Sequence, residues 1–232
     1  MIIEANGIEI NAEVRGSGRP LFLLHGNGED HTIFQEAADV LSAEYTCWMP
    51  DTRGHGMSRY EGELHYDDFA DDLAAILEKY DIRDAAVFGF SDGGITALLA
   101  AMRTGRISDL IISGANLNPD GVKKSLKIMM QVISLFSRDP KVGLMLQEPH
   151  ISDGELAGIT CPVLVLAGSD DVIREEETRH IAAALPHSEL RILEGEGHGS
   201  YIVHSDRIAK LIKVWLEGGR GSHGDKEDIH CD

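Results

Sequence analysis

The sequence predicts an α/β fold: a mostly parallel central sheet with helices on both faces, an antiparallel hairpin at the N-terminus and a short helical cap insertion. Three observations predict it. Strand-like runs alternate with helix-like stretches from residue 21 onward. Several of those runs are apolar throughout, as strands buried on both faces are. One segment, residues 116–150, breaks the alternation and carries apolar residues only at helical spacing. A chain of 232 residues can bury one core, so a single domain over residues 1–218 is expected.

Residues 2–4 and 8–14 read as strands flanking Asn6 and Gly7, a pair that tolerates positive φ and closes a hairpin. Residues 21–24 form a buried strand ending in His25, Gly26, Asn27, Gly28, and residues 45–49 a second that stops at Pro50. Between residues 66 and 80, Phe69, Leu73, Ile76 and Leu77 recur three and four apart, which predicts an amphipathic helix. Strands then follow at 85–90, 110–112, 163–166 and 190–193, and helices at 95–102, 175–185 and 205–216. In the inserted segment Leu126, Met129, Met130, Ile133 and Phe136 predict a helical cap. Residues 219–232 are glycine-rich and polar, too poor in apolar groups to offset the entropy of ordering, and a disordered tail is expected.

Composition narrows the partners. Thirty-nine acidic against 21 basic residues leave a formal charge of −18, which repels phosphate backbones and anionic membrane surfaces alike. No nucleic-acid or membrane partner is therefore expected. The three cysteines, Cys47, Cys161 and Cys231, are too few and too scattered for a disulfide framework, and no basic, long-apolar leader opens the chain. A soluble cytoplasmic protein is expected, and the sequence leaves its oligomeric state open. No metal or other cofactor is expected: no His/Cys set has ligand spacing, and Gly26 and Gly28 lack the third glycine of a dinucleotide loop. His223, His230 and Cys231 in the tail suggest no specific site.

The chemistry concentrates at loops after strands. Gly89, Phe90, Ser91, Asp92, Gly93 ends one predicted strand and opens a helix, the context in which G-x-S-x-G holds a serine hydroxyl exposed on a tight turn. Serine is a weak nucleophile near neutral pH, so it needs a base within hydrogen-bond reach and a third group to orient that base. His198, in the glycine-flanked run Glu194 to Gly199 after the last predicted strand, is placed to be the base. The carboxylate is expected after the preceding strand, where Gly168, Ser169, Asp170, Asp171 offers two candidates. Backbone N–H groups of Asn27 and Asp92 would hold an oxyanion. Asp92 has a second expectation: if its side chain opens into the cleft it could pair with a substrate ammonium, and otherwise it favours the positive end of a helix.

These blocks, H-G at His25, D-x-R-G-x-G-x-S at residues 51–58, G-x-S-x-G-G at the serine, G-x-x-D and G-x-G-H, resemble the α/β-hydrolase superfamily across residues 20–216. The run from Phe90 to Leu98 is similar, more narrowly, to valacyclovir hydrolase-like (biphenyl hydrolase-like) proteins. The resemblance implies the acid order Ser91, Asp171, His198, favouring Asp171 over Asp170, and a structural rather than catalytic part for Arg53 and His55. It also implies hydrolysis of small-molecule carboxylic esters through an acyl-enzyme. Thioester, lactone, amide or carbon–carbon cleavage, and a low-turnover ligand receptor, are the alternatives on the same fold. The cap would close over the cleft, with Met129, Met130 and Phe136 lining a substrate pocket.

Overall fold

The computed structural model describes residues 1–218; the expected tail, with His223, His230 and Cys231, lies outside the described residues. Strands β1 (Ile2–Ala5) and β2 (Ile8–Arg15) pair antiparallel across Asn6 and Gly7. Both turn residues have positive φ, 46° and 78°, as a two-residue hairpin loop demands. Six more strands follow in the chain: β3 (Arg19–Leu24), β4 (Tyr45–Pro50), β5 (Ala85–Phe90), β6 (Ile107–Ser113), β7 (Val163–Gly168) and β8 (Ser188–Leu193). The spatial order is β1-β2-β4-β3-β5-β6-β7-β8. β2 meets β4 antiparallel and every pair from β4 to β8 is parallel.

The helices are α1 (Gln35–Leu41), α2 (Tyr66–Lys79), α3 (Asp92–Arg103), α4 (Lys124–Phe136), α5 (Pro140–Gln147), α6 (Asp153–Leu156), α7 (Glu175–Ala184) and α8 (Arg207–Glu217). In the strands, alternate residues serve opposite faces. Phe22, Leu24, Val87, Leu110 and Val163 pack beneath α2, α3 and α7, whereas Leu21, Leu23, Phe88, Ile111 and Leu164 pack against α1 and α8. Each such side chain, fully buried, contributes roughly 1.5–3 kcal/mol relative to exposure. No element is assigned from the sequence to residues 31–41, where a 3₁₀ turn (His31–Phe34) and α1 lie. Ile33, Phe34, Ala37, Ala38 and Leu41 do recur three and four apart, but with two alanines among them the apolar signal is weak in the sequence, and their burial holds the two pieces in place.

The strand order fixes where a site can form. The chain leaves β3 for α1 on one face and leaves β5 for α3 on the other, although β3 and β5 are neighbours. The diverging loops open a crevice at the carboxyl ends of the two strands, the place where open α/β sheets bind ligands. α4 and α5 form the cap; they pack on each other around Met130, Val122 and Ile173. An isolated bridge between Val122 and Ile173 ties the start of the cap to the loop after β7.

Candidate active site

Ser91 occupies the turn between β5 and α3 with φ 53° and ψ −117°, a conformation that costs a non-glycine residue roughly 1–3 kcal/mol and survives only where neighbours impose it. The neighbours are backbone. A side chain on Gly93 would run into the Leu24 carbonyl, and one on Gly89 into the Gly93 carbonyl. Glycine at both positions lets strand and helix close on the serine from either side.

His198 lies in the loop between β8 and α8, with Nε2 3.1 Å from Ser91 Oγ. Its Nδ1 is 2.6 Å from Asp171 Oδ1. A carboxylate at Nδ1 assigns the proton to that nitrogen and leaves Nε2 to accept from the serine hydroxyl. Asp171 is buried, and its Oδ1 also accepts from the Ile173 amide at 2.9 Å. Asp170, the other candidate, is exposed, and its amide donates to the Glu196 carbonyl. The geometry thus brings together Ser91, His198 and Asp171 and leaves Asp170 outside.

The two residues expected to supply the oxyanion amides lie side by side, in contact through their side chains. Asn27 follows β3 and Asp92 is the first residue of α3. Neither amide donates to a protein acceptor among the described residues. The Asp92 side chain does not open into the cleft as an ammonium contact requires. It is buried, accepts from Asn27 Nδ2 at 2.8 Å and is hydrogen-bonded to the Tyr66 hydroxyl. Burial pushes its pKa up to about 6 against those two hydrogen bonds. Its observed part is to hold Asn27, whose side chain also donates to the Lys141 carbonyl of α5 at 3.3 Å.

Sequence reasoning misses three neighbours of the site. Glu29 folds its carboxylate back onto the Gly26 amide at 2.9 Å. A methyl group on Gly26 would stand 2.8 Å from that carboxylate and 3.2 Å from Ser91 Cβ, so the acid adjoins the nucleophile; its pKa is raised, chiefly by burial. Tyr66 reads in the sequence only as a helix start. Gly114, just after β6, has φ +63°, and a Cβ there would meet His198 Cε1 at 2.6 Å. The Glu29 carboxylate is visible as a charge in the H-G-N-G-E run, but nothing local marks Tyr66 or Gly114.

The expected pocket residues fall elsewhere. Met130 is 3% exposed and packs inside the cap, while Met129 and Phe136 are 52% and 88% exposed. The helix turns its second apolar stripe to solvent rather than over Ser91, so none of the three encloses the cleft. A cavity of about 350 Å³ lies beside the acid loop, lined by Lys123, Ser169, Ile173 and Arg174 among others, and reaches neither Ser91 nor His198.

The D-x-R-G-x-G-x-S block is structural. Arg53 makes a buried two-point contact with Asp72 of α2, at 2.8 and 2.7 Å. Asp51 takes His31 on one oxygen and Asn11 and Met57 on the other. Asp30, His31 and Asp51 bring three potential ligand atoms together, but the hydrogen bonds on both Asp51 oxygens account for the cluster without an ion.

A family model described as alpha/beta hydrolase fold matches residues 19–140. The chain belongs to the α/β-hydrolase fold family. Among curated proteins similar to this chain, the non-heme chloroperoxidase CPO-A1 of Kitasatospora aureofaciens is 27% identical, covering 87% of this chain and 93% of its own length. Among solved structures, an esterase of Exiguobacterium antarcticum superposes with a TM-score of 0.82 at 20% identity, covering 93% of this chain and 98% of the other. The meta-cleavage product hydrolase of Pseudomonas fluorescens does so with 0.78 at 20% identity, covering 94% and 98%. At that identity the structural neighbours establish the shared fold. No helix among the described residues is long and apolar enough to cross a membrane.

Proposed function

We propose that the protein is a serine hydrolase that cleaves small-molecule carboxylic esters through an acyl-enzyme. One observation carries this reading: Ser91 Oγ, His198 and Asp171 form a continuous relay, 3.1 Å and 2.6 Å long at its two joints, with the serine on a strained turn at the strand ends. His198 Nε2 removes the hydroxyl proton as Oγ attacks the ester carbonyl, and Asp171 stabilises the resulting imidazolium. The Asn27 and Asp92 amides donate to the oxyanion. Collapse expels the alcohol, which takes its proton from His198; water, deprotonated by the same imidazole, then releases the acid and restores Ser91. The esterase among the structural neighbours supports the choice of bond, and the other neighbours show how many reactions this fold accommodates.

The test is turnover of short-chain p-nitrophenyl esters by the wild type and by Ser91→Ala. Turnover that falls at least about a thousandfold in the variant is expected; equal turnover by both proteins would overturn the reading.

A further inference from the structure

α4 carries an apolar surface that nothing in the molecule covers. At 3.6 residues per turn, Leu126 and Met130 point into the cap, and Lys124, Lys127, Gln131 and Ser134 share one polar strip. The remaining apolar side chains, Ile128, Met129, Val132, Ile133, Leu135 and Phe136, sweep roughly 160° of arc. All six are exposed, Ile128 to 59%, Leu135 to 77% and Phe136 to 88%. They make up most of the exposed large apolar residues among the described residues. A contiguous patch of this kind marks a contact surface.

The charge beside the patch says what it meets. Residues 121–138 hold Lys123, Lys124, Lys127 and Arg138 and no acidic residue, in a chain of net charge −18; Asp120 and Asp139 bound the segment, Lys127 pairs with Asp120, and Lys123, Lys124 and Arg138 are exposed. The average hides a local reversal of sign: a cationic, apolar helix on an anionic body. Lysines edging a broad apolar arc are the pattern of helices that lie in the plane of a lipid–water interface. Another copy of this chain would offer either the same cationic helix or, on its body, an acidic polar surface without a comparable apolar patch.

We infer that α4 is a docking surface for anionic lipid bilayers, with Ile128, Met129, Val132, Leu135 and Phe136 entering the acyl boundary and the basic residues meeting headgroup phosphates. α4 packs on α5, whose Lys141 carbonyl receives Asn27 beside Ser91. Docking therefore brings the cap, whose α5 touches Asn27 of the candidate active site, against the membrane, but it does not depend on the reaction proposed for that site.

The experiment is flotation of the full chain with vesicles of phosphatidylcholine alone and of phosphatidylcholine with phosphatidylglycerol. Binding to the mixed vesicles, reduced by added salt and much weaker on phosphatidylcholine alone, is expected. Ile128→Ser with Leu135→Ser should lower partitioning at least roughly tenfold, and Lys124→Glu with Arg138→Glu by a similar factor. The substituted side chains are exposed, so thermal midpoints should match the wild type; should the apolar pair unfold early, Leu135→Ser alone takes its place. No flotation, or flotation unaffected by either pair, overturns the inference. So does a concentration-dependent dimer that the apolar pair abolishes while vesicles go unbound, which would assign the face to a second copy.

Discussion

Asp170 and Asp171 are adjacent in the chain and opposite in circumstance. Asp171 is buried against His198 Nδ1, whereas Asp170 is exposed and anchored only through its amide. Asp171→Asn would keep the shape but disturb the proton arrangement on His198, and kcat should fall by roughly a thousandfold or more. Asp170→Asn should stay within a few-fold; comparable losses from both substitutions would contradict the assignment. Asp92 makes a second prediction, this one about pH. Its folded pKa, about 6, lies above the ordinary carboxylate value of 3.8 because burial disfavours the charge. The folded state therefore binds that proton more tightly than the unfolded chain. Its favourable contribution is complete below about pH 4 and lost as pH rises through 6. Asp92→Asn keeps one acceptor oxygen for Asn27 and turns the other into an amide N–H that the Tyr66 hydroxyl oxygen can accept, without the charge. Relative to wild type, it should gain stability from pH 4 to 7, on the order of 3 kcal/mol at most. Denaturant melts at the two pH values measure the difference; a gap that is constant with pH would refute it.

At the scale of elements, what matters is how strand ends carry side chains to one point. Gly114 after β6 stands against the imidazole from β8 and the carboxylate from β7: its absent Cβ would lie 2.6 Å from His198 Cε1 and 3.4 Å from Asp171 Oδ2. Gly114→Ala must also hold φ near +63°, at a cost of roughly 1–2 kcal/mol. Displacing His198 by even a fraction of an ångström should lower kcat tenfold or more with little change in KM. Steady-state kinetics on a chromogenic ester would reveal it, and wild-type kcat would mean that the loop yields freely. This also explains what could be read from the sequence. Ser91, His198 and the Gly168–Asp171 loop are legible because each requirement, a tight turn or a glycine-flanked loop after a strand, is local. Gly114 and Tyr66 acquire their parts only from residues distant in sequence. The outward apolar stripe of α4 was legible as helical periodicity, but periodicity does not say how much of a helix's apolar surface will find a partner. The expected pocket of Met129, Met130 and Phe136 failed for that reason.

On the scale of the whole molecule, charge is the quantity that the fold does not neutralise. The sequence carries 18 more acidic than basic residues, and many of the ion pairs lie at the surface, such as Arg83 with Asp81 and Arg179 with Glu175. Exposed pairs of that kind contribute roughly 0–1 kcal/mol each. They relieve repulsion locally without removing the excess, so compaction still brings like charges together. Salt shortens the reach of that repulsion to about 8 Å at physiological strength. The thermal midpoint at pH 7 should therefore rise by a few degrees between roughly 10 and 150 mM sodium chloride. Near pH 5, close to the sequence pI of about 4.9, protonation of the 11 histidines with a minority of the carboxylates cancels the excess, and the same salt step should do much less. Were surface ion pairs the larger effect, salt would lower the midpoint at pH 7, because screening weakens attraction as readily as repulsion; the sign of the shift thus separates the two.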